Sequence, residues 1–190
     1  MNALIDTLLS TDAALAADDP QGAFNNLRAF LENRDLNLSF FPQLTEKIEN
    51  IAFHPLAERD LPLQRLAILS GNQTSKFLAQ AVCVGLAREG VAAIIFEGEY
   101  NAFNQEIIDP NSALYDFRPD MILIALSWRD VLLPSHPLIS DDEQEALVSD
   151  YVERFSKIWE LIDQRLDIPI IQHLFDKPSY ALLGAAERRL

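Results

Sequence analysis

Three polar segments of the chain carry residues that could do chemistry, and each directly follows a short apolar run. The first, SGNQTS, begins at Ser70 and ends at Ser75. Backbone N–H groups of Gly71, Asn72 and Thr74 could bind an anion or an oxyanion, and either serine could act as a nucleophile. The segment has one glycine and no Gly-Lys-Ser/Thr, so it is neither a dinucleotide-binding fingerprint nor a P-loop. A polar strand-to-helix turn is the competing interpretation.

The second segment places two carboxylates close together in the sequence. It contains Glu97, Glu99 and Tyr100, and a few residues later follow Asn104, Gln105 and Glu106. Paired carboxylates can act as acid and base or bind a metal ion. Because no histidine or third acid stands at ligand spacing, we favour a solvated, hydrogen-bonded loop and expect neither a metal site nor a cofactor in this chain.

The third segment, SWRD, contributes Ser127, Arg129 and Asp130, of which the last two could pair with each other or bind a ligand. His173 ends the last apolar run of the chain. Ligands of parallel α/β sheets bind at the carboxyl ends of strands, so all three segments are candidates for one site. His173 could serve a serine of the first segment as general base only if the strand order brings the two ends together.

Composition limits the classes of function. The chain has 190 residues, of which 49% are hydrophobic and 23% charged, and its net charge is −14. Such a surface repels phosphate and anionic lipid, so we expect neither nucleic acid nor a membrane as partner. With no basic secretory signal and no apolar run long enough to span a bilayer, the sequence predicts a cytoplasmic protein. The single cysteine, Cys83, lies in an apolar helical pattern and is predicted to be a buried structural thiol.

The elements that must position these segments follow from the spacing of apolar residues. Three helical patterns fill residues 1–60, which we predict to be a helical amino-terminal extension, and a loop at 54–62 is the candidate boundary. Residues 61–190 then alternate apolar strand runs at 65–70, 91–96, 121–126 and 168–174 with helices. This order predicts an α/β domain: a three-layer sandwich around a parallel sheet, similar to flavodoxin-like folds.

Two helix ends can also be predicted. Gly90 ends the helix that follows the first strand, because glycine readily adopts the left-handed conformation required after a last turn. Ser140 opens a long helix, because Ser140 and Glu143 have the spacing of a capping box.

The same three segments carry a family resemblance. The stretch LAILSGNQTSKFLAQAV, the block FEGEYNAFNQEIIDPNSALYDFRPDMILIALSWRD and the tail IPIIQHLFDKPSYALLGAAE resemble the amino-terminal domain of FkbH-type proteins. These belong to a haloacid-dehalogenase-like (HAD-like) superfamily, subfamily IIIC. The resemblance covers roughly residues 60–187, and the block from Glu97 to Asp120 is its most specific part, because general fold physics does not require it.

The resemblance implies a domain similar to SGNH hydrolases, coupled in full-length members to a carboxyl-terminal HAD-like domain. Full-length relatives take a glyceryl unit from 1,3-bisphosphoglycerate and load it onto an acyl carrier protein in polyketide biosynthesis. Their catalytic domain uses an Asp-x-Asp motif with Mg²⁺. No Asp-x-Asp occurs in these 190 residues, so we expect phosphoryl chemistry and Mg²⁺ only in that other domain. The implied partners are the carrier protein and the HAD-like domain.

SGNH hydrolases have a Gly-Asp-Ser turn, a Gly-x-Asn-Asp segment and an Asp-x-x-His motif. Here Asn72 takes the nucleophile position, SWRD replaces the second motif and the third is missing. We therefore expect a non-catalytic accessory domain. Two alternatives remain: a small ester hydrolase or acyltransferase using Ser70 or Ser75 with His173, or an anion-binding module at residues 71–74. Docking an acidic carrier would require a basic patch, for which the candidates are Arg28, Arg34, Lys47, Arg59 and Arg65.

Overall fold

Helices dominate the first sixty residues. The computed structural model describes residues 2–32, 35–71, 75–99, 101–127 and 140–174. The amino-terminal part contains four helices and a 3₁₀ turn at Leu38–Phe40: α1 (Asn2–Ala16), α2 (Pro20–Glu32), α3 (Phe41–Ala52) and α4 (Ala57–Asp60). Proline stands at the first position of α2 and the second of α3, where a missing N–H costs no hydrogen bond.

Strands and helices alternate after residue 62. The strands are β1 (Leu63–Ser70), β2 (Ala92–Glu97), β3 (Met121–Ala125) and β4 (Ile170–Gln172). The helices are α5 (Ser75–Arg88), α6 (Phe103–Ile108), α7 (Ala113–Phe117) and α8 (Asp141–Leu166). In the part of the chain that the structure describes, no helix is long and apolar enough to cross a membrane.

The four strands form one sheet in the order β2-β1-β3-β4. β1 pairs with β2 in parallel, from Leu63 opposite Ala92 to Ile68 opposite Glu97. β3 pairs with β4 in parallel, and Ile124 lies opposite Gln172. A parallel sheet flanked by helices, with a helical amino-terminal part, confirms the predicted α/β fold class.

The chain divides into two compact units, the first made of residues 1–68 and 74–97 and the second of residues 69–73 and 98–190. In the first unit, α3 packs against α5 and β2, and α2 packs against α1 and α5. Its fully buried large side chains come mainly from the helices: Leu27, Leu31, Leu44, Ile48, Ile51 and Ile68. The predicted boundary near residue 60 stays a prediction.

The second unit has its own buried side chains. They come from β1, β3, the residue after β3 and the short helices, and α8 adds three more: Leu69, Phe103, Ile107, Leu114, Ile122, Ile124, Leu126, Phe155, Ile158 and Ile162. Ser140 caps α8, because its hydroxyl accepts a hydrogen bond from the Glu143 N–H while the Glu143 carboxylate accepts one from the Ser140 N–H. The predicted capping box is confirmed.

Short helices occupy segments that the sequence predicts to be loops. α4 lies within the loop at 54–62, and α6 contains Gln105 and Glu106, which we expected in a solvated loop. Each of these helices has four to six residues, which is less than two turns. An apolar periodicity cannot be recognised over so short a stretch, so tertiary packing decides their conformation.

Two glycines flank the end of α5 with opposite requirements. Gly90 has φ of +89°, a conformation that side chains with a Cβ rarely adopt, and a Cβ there would lie 3.1 Å from the Arg28 guanidinium. Gly85 lies inside α5, and a Cβ added to it would meet nothing within 4 Å. The predicted role of Gly90 as the residue after the helix is confirmed.

We expect Gly85→Ala and Gly90→Ala to change stability in opposite directions. Gly85→Ala should raise the free energy of unfolding by about 0.5–1 kcal/mol, because alanine loses less backbone entropy in a helix. Gly90→Ala should lower it by about 1–2 kcal/mol, because the left-handed conformation strains a Cβ. Urea denaturation followed by circular dichroism measures both. A stabilising Gly90→Ala would contradict the assigned backbone conformation.

Candidate functional site

The carboxyl ends of three strands meet in the second unit. Ser70 ends β1, and its residue is 3% exposed, while Gly71 beyond it is also buried. Ser127 lies two residues after β3 and is half-buried. His173 directly follows β4, is exposed, and donates its backbone N–H to the Ile124 carbonyl at 2.9 Å. These ends form the edge at which parallel sheets bind ligands.

The strand order separates the serine from the histidine of the hydrolase alternative. β3 lies between β1 and β4, so the β1 and β4 backbones are roughly 10 Å apart. Ser70 is buried and makes interactions with its surroundings, whereas His173 is exposed. A nucleophile must be accessible to its substrate and within hydrogen-bond reach of its base, and this pair of residues does not have that arrangement. Ser75 is the first residue of α5.

The remaining candidates divide between surface positions and the undescribed part of the chain. Glu97, Glu99 and Gln105 are exposed. Five candidates lie outside the described residues: Asn72, Thr74, Tyr100, Arg129 and Asp130. Among the residues that the structure describes, no group of three or more His, Cys, Asp or Glu side chains could hold a metal ion.

Glu97 faces a second carboxylate that the sequence did not point to. Glu49 on α3 lies close enough to Glu97 and Glu46 for their negative charges to repel its own. Burial, followed by repulsion from these two carboxylates, raises the pKa of Glu49 above its ordinary value. Sequence reasoning missed this cluster, because Glu49 and Glu97 lie far apart along the chain and only the packing of α3 on β2 joins them.

Cys83 lies in the same part of the first unit and is fully buried on α5. Burial, with a smaller contribution from the Glu49 carboxylate, raises the pKa of the Cys83 thiol to about 12. A thiol that stays protonated is a poor nucleophile and a poor metal ligand. The prediction that this cysteine is buried is confirmed.

The most distinctive block of the sequence, residues 97–120, is held together by its own side chains. The Ser112 hydroxyl donates to the Glu106 carbonyl at 2.6 Å, and the Tyr115 hydroxyl donates to the Ile107 carbonyl at 2.6 Å. The Asp109 carboxylate accepts the Asn111 N–H at 2.9 Å. These bonds fold α6 and α7 against each other, so the polar residues of the block have a structural use.

Arg165, near the end of α8, fastens this block from outside. Its Nη1 donates to the carbonyls of Ile107 and Ile108 at 2.8 and 2.9 Å and lies 3.1 Å from the Tyr115 hydroxyl. The guanidinium also lies 5.4 Å from the centre of the Tyr115 ring. The last carbonyls of a helix lack partners within it and attract positive charge, so Arg165 caps the carboxyl end of α6.

A shallow groove of about 460 Å³ lies between α6 and α8. Its lining combines Ile108, Ile158 and Leu161 with the charged side chains of Asp150, Glu153, Arg154 and Lys157, and Asn104. Asn104, which follows the second polar segment, belongs to this lining, whereas Ser70, Ser127 and His173 do not. The opposite charges of the lining largely cancel, so the groove has no strong preference for an ion.

The candidate basic patch is already neutralised in large part. Arg28 pairs with Glu32 at 2.8 Å, Lys47 pairs with Asp12, and Arg59 pairs with Asp60 at 2.6 Å. Arg65 makes interactions of its own, and Arg34 lies outside the described residues. These side chains offer a weaker attraction to an acidic partner than their number suggests.

We expect Glu49→Gln to stabilise the protein at neutral pH. A folded-state pKa above the ordinary 4.5 means that the folded protein holds this proton more tightly than the unfolded chain. Stability is therefore lost as the pH rises from that value through the raised folded pKa, and the variant escapes this loss. Melting temperatures should be higher for Glu49→Gln at pH 7 and should converge with wild type well below the ordinary pKa. Glu58→Gln, which removes an equal charge from α4, is the control for the change in net charge, and an equal gain in both variants would contradict the prediction.

We expect Arg165→Ala to lower the free energy of unfolding by about 1–3 kcal/mol, because the half-buried bond to the Ile107 carbonyl and the exposed bond to the Ile108 carbonyl lose their charged donor. Arg154→Ala is the matched control on the same helix. Arg154 is exposed in the groove, and its loss should cost less than about 0.5 kcal/mol. Chemical denaturation measures both values. Equal effects of the two substitutions would show that the contacts of Arg165 contribute nothing specific.

Comparison with known proteins agrees with this architecture. No curated protein matches the chain. A solved structure described as the N-terminal part of the protein BF1531 from Bacteroides fragilis, containing a phosphatase domain complexed with Mg, is similar with a TM-score of 0.60 and 22% identity. The similarity covers 82% of this chain but 38% of that one, and at this identity it shows the fold alone.

The family model described as "FkbH, N-terminal domain" matches residues 65–176, which is more than half of the chain. The matched range includes the strand ends, the block joined by Tyr115 and the helix that carries Arg165. The chain therefore belongs to the FkbH N-terminal domain family.

Proposed function

We propose that this chain is a non-catalytic, SGNH-like accessory domain of an FkbH-type protein and that it binds and positions partners of the reaction. One observation carries the proposal most directly. Within the block from Glu97 to Asp120, the Ser112 and Tyr115 hydroxyls donate to backbone carbonyls of α6, and Arg165 of α8 donates to the carboxyl end of the same helix. Polar side chains used in this way favour a scaffold over an active site.

The burial of Ser70 supports the same proposal. A serine that is 3% exposed, on a strand separated from that of His173 by β3, is poorly suited to attack an ester. The hydrolase alternative then depends on Ser75, since Asn72 stands where SGNH enzymes have their nucleophile. The anion-binding alternative depends on residues 72–74, which lie outside the described residues.

We propose that phosphoryl chemistry and Mg²⁺ belong to another domain of the parent protein. These 190 residues contain no Asp-x-Asp, and the similar solved chain from Bacteroides fragilis is described as containing a phosphatase domain complexed with Mg. In this proposal the parent acts in the cytoplasm and transfers a glyceryl unit from 1,3-bisphosphoglycerate to the thiol of an acyl carrier protein. The present domain contributes to the binding of that carrier.

The proposal predicts carrier binding without ester hydrolysis. NMR titration with an acidic acyl carrier protein should shift a defined set of amide signals. If no amide signal shifts at a millimolar concentration of the carrier protein, the domain does not bind the carrier.

The same preparation should not hydrolyse p-nitrophenyl acetate or butyrate faster than its Ser70→Ala, Ser75→Ala and His173→Ala variants. A loss of measurable turnover in any one of these variants would instead establish the hydrolase alternative. Because the carrier titration and the ester assay are independent, the two roles can be distinguished in one series of experiments.

A further inference from the structure

One side of α8 exposes apolar side chains that a stable monomer normally buries. Val148, Val152 and Trp159 are 62%, 60% and 39% exposed, and their spacing of four and seven residues places them on one side of the helix. We call these three residues the α8 stripe. Phe155 lies between them, is 7% exposed, and its ring packs against Trp159 with 6.3 Å between centroids. The stripe thus continues the buried face of α8 outward.

The stripe is held in place by its surroundings. The Trp159 indole Nε1 donates to the Gln172 side-chain carbonyl on β4 at 3.4 Å, which fixes the indole beside the sheet. From Val148 to Trp159 the stripe extends about 17 Å along the helix, or three turns. A surface of this length and rigidity suits an α-helix laid along it.

Charge is segregated around the stripe. Glu145, Glu160 and Asp163 are exposed on the side where the stripe meets solvent, and we call them the acidic edge. Glu145 lies three residues from Val148 and Asp163 lies four from Trp159, which makes each an immediate neighbour on the helix surface.

The three basic residues of α8 lie on its other faces. Arg154 and Lys157 line the groove with α6, and Arg165 caps α6. Lys157 pairs with Glu153 and lies close enough to Glu160 to interact with its charge, whereas among the described residues no basic side chain of this helix forms an ion pair with Glu145 or Asp163.

We propose that the α8 stripe binds an α-helix of another protein whose apolar face is bordered by lysine or arginine. Apolar side chains of the partner cover Val148, Val152 and Trp159, and its cations face Glu145, Glu160 and Asp163. Complementary charge at the rim selects the partner and its orientation, while the apolar contact supplies most of the affinity. This interaction goes beyond the carrier-binding role and does not depend on it.

The charge pattern also disfavours the other occupants of such a surface. The acidic edge repels an acidic carrier protein. It also repels an anionic bilayer, because such bilayers bind helices whose polar faces are basic. In an antiparallel pair of two copies of this chain, the same edge of α8 would face itself and bring Glu145, Glu160 and Asp163 against their own counterparts.

The test uses two synthetic helical peptides of about 18 residues that share one leucine face. One has lysine along both borders of that face and the other has glutamate. Fluorescence anisotropy of the labelled peptides with the 190-residue chain should give binding of the lysine peptide and at least about tenfold weaker binding of the glutamate peptide.

Two variants locate the site. Val148→Thr/Val152→Thr keeps the β-branched shape of both side chains but makes the stripe polar. It should weaken the binding of the lysine peptide about tenfold. Glu145→Lys/Asp163→Lys should reverse the preference, so that the glutamate peptide binds more tightly. Glu58→Lys/Glu89→Lys changes the net charge equally on the first unit and is the control. It should keep the preference for lysine.

Several results would overturn the proposal. Equal binding of the two peptides would show that the acidic edge does not select a basic partner. If the control and the Glu145→Lys/Asp163→Lys variant changed the peptide preference equally, the preference would come from net charge and not from this site. No binding of either peptide at millimolar concentration would show that the stripe is not available to a helix. Sedimentation of a dimer that Val148→Thr/Val152→Thr dissociates would assign the stripe to a second copy. Co-sedimentation with anionic vesicles that the same variant abolishes would assign it to a membrane.

Discussion

The carboxyl end of α6 presents carbonyl groups that need hydrogen-bond donors, and Arg165 supplies one guanidinium to two of them. A helix of six residues is too short to be stable by itself, so its position depends on this cap and on the Tyr115 hydroxyl. The contact joins the block that distinguishes the family to the longest helix of the chain. Through it the two short helices α6 and α7 are attached to α8.

This constraint gives several polar residues of the family block a structural role. Ser112 and Asp109 satisfy backbone groups of the turn between α6 and α7, and the Glu106 carboxylate lies 3.4 Å from the Leu114 N–H. Function must then be sought in residues that the fold does not use, such as the surface of α8.

Much of the fold could be predicted from the sequence because its long elements have clear patterns. Continuous apolar runs marked all four strands, and Gly90 and Ser140 marked helix ends within a residue. The contacts of Arg165 could not be predicted, since its partners lie 50 to 58 residues away. The same holds for the cluster of Glu49 with Glu97, which only the packing of α3 creates. For the candidate site, the sequence identified the strand ends but not the strand order, and that order separates Ser70 from His173.

Cys83 has a consequence of a different kind. Burial raises the pKa of this thiol to about 12, so it stays protonated at pH 7 while the protein is folded. The side chain is also sealed between α5 and its neighbours, so an alkylating reagent reaches it only when this region opens. Because Cys83 is the single cysteine of the chain, its alkylation can be used to follow that opening. Its rate of modification reports the local free energy of the first unit without any added label.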